Sequence, residues 1–115
     1  RYPELLHDPA RTERWIAAGC LIQVTASALA DPLDHGMERA LREWVAGGFV
    51  HVLGSDGHGT AFRPPELAPG FERLVKWAGR PAAERIASLW GVSVLQGLPV
   101  QVPPPKPPPR SWFTR

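Results

Sequence analysis

Phe49-Val50-His51-Val52-Leu53-Gly54-Ser55-Asp56-Gly57-His58 is the stretch on which the reading of this chain turns. Its first half is a short apolar run closed by glycine, the composition of a buried strand in a parallel sheet. Side chains alternate between the two faces of a strand, so residues two apart share a face. Asp56 and His58 are two apart and follow the run, which sends them out together from the strand's C-terminal end. Open α/β sheets and α/β barrels carry their sites at that end. A carboxylate oxygen beside an imidazole nitrogen suits a divalent ion such as Mn, Fe or Zn. Arg63, just beyond and followed by Pro64-Pro65, has the planar fork to hold an anionic substrate over such an ion. The residues alone also permit a plainer account, with Asp56 capping a loop, His58 on the surface and Arg63 solvated.

Outward from this stretch, helix and strand alternate. Met37, Leu41, Trp44 and Val45 fall at i, i+4, i+7 and i+8, which predicts a helix from Pro32 or Asp34 to Ala46, stopped by Gly47-Gly48. Asp34-His35 reads as its cap. Cys20-Leu21-Ile22-Gln23-Val24-Thr25 reads as a second strand, with Gln23 its polar exception. Before it, Asp8-Pro9 marks a helix start and Gly19 its stop, with Trp15, Ile16 and Ala18 as the apolar face. Asp8 of the His7-Asp8 pair is thus a cap rather than a metal ligand. His51 is assigned to core packing. Downstream, Phe71, Leu74, Val75 and Ala78 form one helical stripe ended by Gly79. Ala82, Ile86, Leu89 and Trp90 form another, with Pro81 near its start and Gly91 as its stop. Val92-Ser93-Val94-Leu95 reads as a short extended segment. Trp15, Trp44, Trp77 and Trp90 sit on helical faces and are assigned to the core. The class is α/β, with parallel strands covered by helices. From Pro99 the prolines multiply, so residues 99–115 read as a solvated polyproline tail, with Pro-Pro-Lys-Pro-Pro-Pro-Arg as a docking candidate.

Composition narrows the classes. A chain of 115 residues supports one domain at most, and a hydrophobic share of 43% with five tryptophans is globular. The net charge of +2 is carried by scattered basic residues, not by the clustered stripe that nucleic acid requires. No apolar run nears the ~20 residues of a membrane span, and no secretory signal opens the chain, which fits a cytoplasmic protein. The single cysteine, Cys20, excludes an internal disulfide and suits a reducing compartment. It is no phosphatase nucleophile either, because the arginine a cysteine-based loop needs six positions on is Ala26 here. Its place in an apolar strand suggests an inert thiol.

Arg1-Tyr2-Pro3, Gly19 with Ile22-Gln23-Val24-Thr25-Ala26-Ser27, Val50 to His58, and Arg63-Pro64-Pro65 follow one another in a familiar order and spacing. In these segments the chain resembles the C-terminal part of the bacterial PHP-domain (polymerase and histidinol phosphatase) tyrosine phosphatases of capsule and exopolysaccharide synthesis. The likeness covers residues 1–98. It implies a portion of a distorted (β/α)7 barrel with a cluster of divalent metals, most often manganese, with Fe, Zn or Mg as alternatives. It makes Asp56 and His58 metal ligands, Arg63 a phosphate-binding arginine, and Arg1 the last residue of the family's His-x-Glu-Arg segment. Gln23 falls on a strand facing the site, without an assigned role. Gly57 stands where the family often has alanine, and Trp90-Gly91 where it commonly has Asn-Pro.

The family's N-terminal His-x-His motif and its intermediate ligands have no counterpart here, and two donors fall short of the four to six each ion takes. The expectation is therefore a C-terminal fragment, inactive alone, of a phosphatase acting on a phosphotyrosine protein such as a bacterial tyrosine kinase. Self-association of the parent is left open. Two alternatives stand beside it: a hydrolase of small phosphate esters such as histidinol phosphate, and a non-catalytic module with a proline-rich docking tail. In the intact enzyme, metals would acidify a water for in-line attack on phosphorus while arginines neutralise the equatorial oxygens.

Overall fold

Two short parallel strands, Gln23–Thr25 (β1) and Val52–Gly54 (β2), organise everything else. The computed structural model describes residues 8–55 and 67–106. Around the strands run α1 (Pro9–Ala17), α2 (Ala26–Ala30), α3 (His35–Gly47), α4 (Ala68–Ala78) and α5 (Arg80–Glu84). A π-helical turn at Arg85–Leu89 then leads into α6 (Trp90–Leu95). The two segments expected as strands do lie side by side and parallel, in the register Gln23 with Val52, Val24 with Leu53 and Thr25 with Gly54. Each is shorter than the sequence suggests. The pairing begins as a fork at Ile22, whose carbonyl accepts from the His51 N–H at 2.9 Å and the Val52 N–H at 3.2 Å.

Capping chemistry sets the helix starts as expected. Asp8 Oδ1 accepts from the Arg11 N–H at 3.1 Å, with Pro9 in the first helical turn. Asp34 Oδ1 accepts from the Met37 N–H at 2.8 Å. Gly48 closes α3 at φ 84°, a left-handed conformation that glycine adopts without a Cβ penalty. The core lies between the strands and the helices that cover one side of them. Leu29, Phe49 and Leu74 are wholly buried, joined by Val50, Leu53, Leu41, Trp44, Val45, Ala83 and Ile86. Trp44 and Phe49 meet with ring centroids 5.6 Å apart. Gly70, at the start of α4, packs on the first residue of α2 so closely that a Cβ there would lie 2.7 Å from both Cα and Cβ of Ala26. Arg73 then ties α4 across, donating to Glu38 Oε1 at 3.0 Å and to the Ala30 carbonyl at 3.5 Å, with its guanidinium 5.5 Å from the Trp77 ring.

Several expectations are corrected. In α1 the inward residues are Pro9, Thr12 and Ile16, while Trp15 is 41% exposed and outside the core. Cys20 is exposed and precedes β1 instead of lying within it. Gly91 does not stop the last helix, and residues 92–95 are helical, not extended. An interior glycine costs a helix only about 1 kcal/mol, and here the helix runs on to the next glycine. Gly97, at φ 69°, turns the chain, and the Leu98 N–H donates back to the Ser93 carbonyl at 2.9 Å. The π-helical turn also shifts the phase of the apolar stripe, since it inserts a residue into the helical repeat. Ala83 and Ile86 are buried with Trp90 packed beside them, and Leu89 faces outward. The first part of the proline-rich segment is not a free tail. Val102 packs against the core cluster, and the Lys106 N–H donates to the Gly47 carbonyl at 2.9 Å, which straps residues 99–106 across the end of α3. Residues 107–115 lie outside the described residues.

Candidate functional site at the strand ends

Register divides the strands into two chemically distinct faces. Val24, Leu53 and His51 point into the helical side, where Leu53 and His51 are buried. Gln23, Thr25, Val52 and Gly54 share the opposite face, which is half-buried to exposed. Both strands run the same way and end together, Thr25 beside Gly54, with Ser55 immediately following. The chain thus leaves β2 at its C-terminal end, through Ser55. Asp56, His58 and Arg63 themselves, and Arg1, lie outside the described residues.

The open face carries a contact that sequence reasoning missed. The Gln23 side chain crosses to β2 and lies against Gly54. A Cβ at position 54 would sit 2.7 Å from Gln23 Nε2 and 3.0 Å from its Cδ. Glycine at 54 therefore makes room for the carboxamide. The available signal was the pairing of one polar residue in an apolar strand with a glycine closing the other.

His51, on the helical side, holds the pair from beneath. It is 1% exposed, and its Nδ1 accepts from the Ile22 N–H at 2.9 Å. An accepting Nδ1 places the proton of the neutral ring on Nε2, which is buried without a hydrogen-bond partner among the described residues. The Trp90 ring stands 5.8 Å away, centroid to centroid, tilted by 55°. Burial pushes the imidazole pKa below its ordinary value, since desolvation penalises the charged form. The assignment of His51 to the core is met, with a specific bond added.

Among the described residues no group of three or more His, Cys, Asp or Glu side chains is placed to hold a metal. A surface depression of about 420 Å³, lined by His35, Gly36, Glu38, Arg39 and Arg42, belongs to the outer face of α3 and includes none of the strand-end residues. Also among the described residues, no helix is long and apolar enough to cross a membrane.

A parallel strand pair backed by helices defines an α/β protein. The chain belongs to the CpsB/CapC family of capsular polysaccharide synthesis, whose model matches residues 1–96. It is 26% identical over 91 residues to the tyrosine-protein phosphatase CpsB of Streptococcus pneumoniae, covering 75% of this chain and 37% of that protein. Its fold matches a solved structure from the work on YwqE of Bacillus subtilis and CpsB of Streptococcus pneumoniae, described as unique metal-dependent tyrosine phosphatases. The TM-score is 0.78 at 19% sequence identity, over 90% of this chain and 42% of the solved one. The chain thus spans about two fifths of the length of these relatives.

Proposed function

We propose that this chain is the C-terminal part of a metal-dependent phosphomonoesterase of the PHP type, acting on phosphotyrosine in a protein of capsule or exopolysaccharide synthesis, such as a tyrosine kinase. The observation that carries this reading is the parallel β1–β2 pair within a CpsB/CapC chain, its strands ending level just before Ser55-Asp56-Gly57-His58. Residues 1–98 form the phosphatase portion and 99–115 a proline-rich extension. The setting is the cytoplasm, and the strands contribute to a distorted (β/α)7 barrel.

The donors fit a metal in kind. Asp56 offers hard oxygen and His58 borderline nitrogen, a pair suited to Mn and also to Fe or Zn. These two would hold the ion, with further donors coming from beyond the described residues. When bound, the ion supplies Lewis acidity and acidifies water at the site. The chain's own contribution is positional. Arg63 binds two phosphoryl oxygens through its fork and neutralises charge that grows toward the transition state, and Arg1 adds a second cation at the same rim. His51 fixes the two strands relative to one another through Ile22, so that their ends stay level.

The test uses the full gene product with a phosphotyrosine peptide, histidinol phosphate and a generic aryl phosphate. Hydrolysis of the peptide that needs added Mn and stops with chelator supports the reading. Activity that survives thorough chelation refutes the metal chemistry, preference for histidinol phosphate refutes the substrate class, and no hydrolysis at all favours the non-catalytic module.

A further inference from the structure

We infer that the outer face of α3 is a docking surface for an acidic peptide segment, held by Arg39 and Arg42. The inference rests on the phosphatase reading only for the source of that segment, the residues beside the target tyrosine of a protein substrate. Positions 35, 39 and 42 recur at i, i+4 and i+7, on the helix face opposite the buried Leu41, Trp44 and Val45. His35, Arg39 and Arg42 are all exposed there, and with Gly36 and Glu38 they line the depression of about 420 Å³. A solvated helix face ordinarily interleaves both signs of charge. The one carboxylate in this lining, Glu38, is already engaged. Its Oε1 accepts from Arg73 of α4 at 3.0 Å, and its Oε2 lies 3.8 Å from His35 Nδ1. Among the described residues, neither Arg39 nor Arg42 has an ion-pair partner. The concave surface therefore carries two permanent positive charges that no described carboxylate balances.

Size and place select the occupant. From position 35 to 42 the helix rises about 10 Å, the span of about three residues of extended chain. The volume lies in the range of sites that hold molecules larger than a single phosphate ion. Two arginines are too few for nucleic acid, which needs many phosphate contacts along a basic stripe, and the net charge of the chain is only +2. The strands run parallel, and α3 carries the chain from the C-terminal end of β1, by way of α2, back to the start of β2. Its first turn therefore stands toward the strand ends, and the stripe runs from there down the flank. A protein substrate presenting phosphotyrosine at the strand ends would lay a neighbouring segment along this flank. Carboxylates in that segment meet Arg39 and Arg42, whose planar forks bind a carboxylate through two parallel N–H···O bonds.

The test uses the full gene product with Mn and two phosphotyrosine peptides, one with a run of glutamates beside the phosphotyrosine and one with glutamines in their place. A generic aryl phosphate, which has no flanking residues, reports on the chemistry alone. Wild type is compared with Arg39→Ala/Arg42→Ala, Arg39→Glu/Arg42→Glu and Arg39→Lys/Arg42→Lys. Exposed ion pairs are individually weak, so wild type should favour the glutamate peptide by roughly 3- to 10-fold in kcat/KM at low salt, through KM, and less as salt screens the charges. The alanine variant should lose that preference and the glutamate variant reverse it. The lysine variant, which keeps the charge without the fork, should fall between alanine and wild type. All should hydrolyse the aryl phosphate at the wild-type rate and unfold at the wild-type midpoint. A wild type that treats the two peptides alike, or an alanine variant that keeps the preference, overturns the inference. So does an equal loss on the aryl phosphate, which would place the arginines in the chemistry or the fold. Cosedimentation of wild type with phosphatidylserine-rich vesicles, abolished in the alanine variant, would give the face to a membrane surface instead. A second measurement separates the inference from the reading it rests on: anisotropy of a fluorescein-labelled, unphosphorylated glutamate peptide. A wild type that binds this peptide through Arg39 and Arg42 yet hydrolyses no substrate condemns the phosphatase reading and leaves the docking surface standing. An active wild type that does not bind it condemns the docking surface alone.

Discussion

Acid should unlatch the two strands through one side chain, His51. Its Nδ1 accepts the Ile22 N–H at 2.9 Å, and a protonated ring has no lone pair with which to do so. Burial already holds its pKa below the ordinary imidazole value of about 6.5. The sign follows from linkage. Above that ordinary value both folded and unfolded chains carry neutral imidazole, and the contribution to stability is fully present. As pH falls through it, the unfolded chain takes up a proton that the folded chain resists, so stability drops by up to about 1.4 kcal/mol per pH unit. The drop ends only below the depressed folded pKa. The Trp90 ring beside His51 also carries the Arg85 guanidinium, 5.8 Å from its centroid. His51→Leu removes the titration. It also strands the Ile22 N–H, a cost of about 1–3 kcal/mol, offset in part by loss of the unpartnered Nε2–H. Urea unfolding at pH 8.0, 6.5 and 5.5 should therefore show the variant less stable than wild type at pH 8.0 and the gap closing as pH falls. Nitrogen-15 spectra of the wild-type ring should show the Nε2–H tautomer. Parallel pH profiles for the two proteins, or an Nδ1–H tautomer, would falsify the latch.

Gly70→Ala forces a methyl group within 2.7 Å of the Ala26 backbone, so α4 must move off α2; a loss of about 1–3 kcal/mol by urea unfolding is expected, and an unchanged midpoint would mean the helices are not in that contact. Asp56→Ala and His58→Ala in the full gene product should each weaken Mn binding and lower kcat by orders of magnitude while leaving the circular dichroism spectrum unchanged, and wild-type Mn affinity in either would remove that residue from the ligand set. Arg63→Ala should cost about 2–4 kcal/mol of transition-state stabilisation, with Arg63→Lys still impaired and Mn titration normal in both. Full activity of Arg63→Ala on phosphotyrosine peptide would make it a loop residue.

What could be read in the sequence was whatever local chemistry decides. Asp8 and Asp34 cap because a short carboxylate before a helical stretch has backbone N–H groups to accept from, and Gly48 and Gly79 stop because they adopt positive φ at little cost. The strand pair followed from two apolar runs with a helical segment between them. Three things were hidden because they are tertiary. Trp15 looks like core by type, but Ile16 and Thr12 win the inward positions and leave it outside. Gly91 looks like a stop, yet a helix held through Trp90 absorbs it and ends at Gly97. The proline run looks detached, yet Val102 finds the core and Lys106 the open carbonyl of Gly47. At the site, the face shared by Gln23 and Gly54 depends on register, which no single strand's pattern reveals.

The two faces of the β1–β2 pair divide the work. On the helical side, packing is dense and polar groups are few, and the one imidazole there is kept neutral and bonded to backbone. That side fixes where the strands end. On the other side, the Gln23 side chain lies against Gly54, whose missing side chain leaves it room. Rigidity beneath and polarity above are what a phosphoryl-transfer site needs, since its catalysis comes almost wholly from holding donors still around a group whose charge is redistributing. A loosened latch should then affect chemistry more than binding. In the full gene product, His51→Leu leaves every proposed substrate contact in place but lets Gly54 and Thr25 drift out of level. Its kcat on phosphotyrosine peptide should fall by roughly tenfold with KM little changed, the pattern of a lost transition-state fit. A rise in KM at constant kcat would instead mean that β1 and β2 position the substrate in its ground state alone.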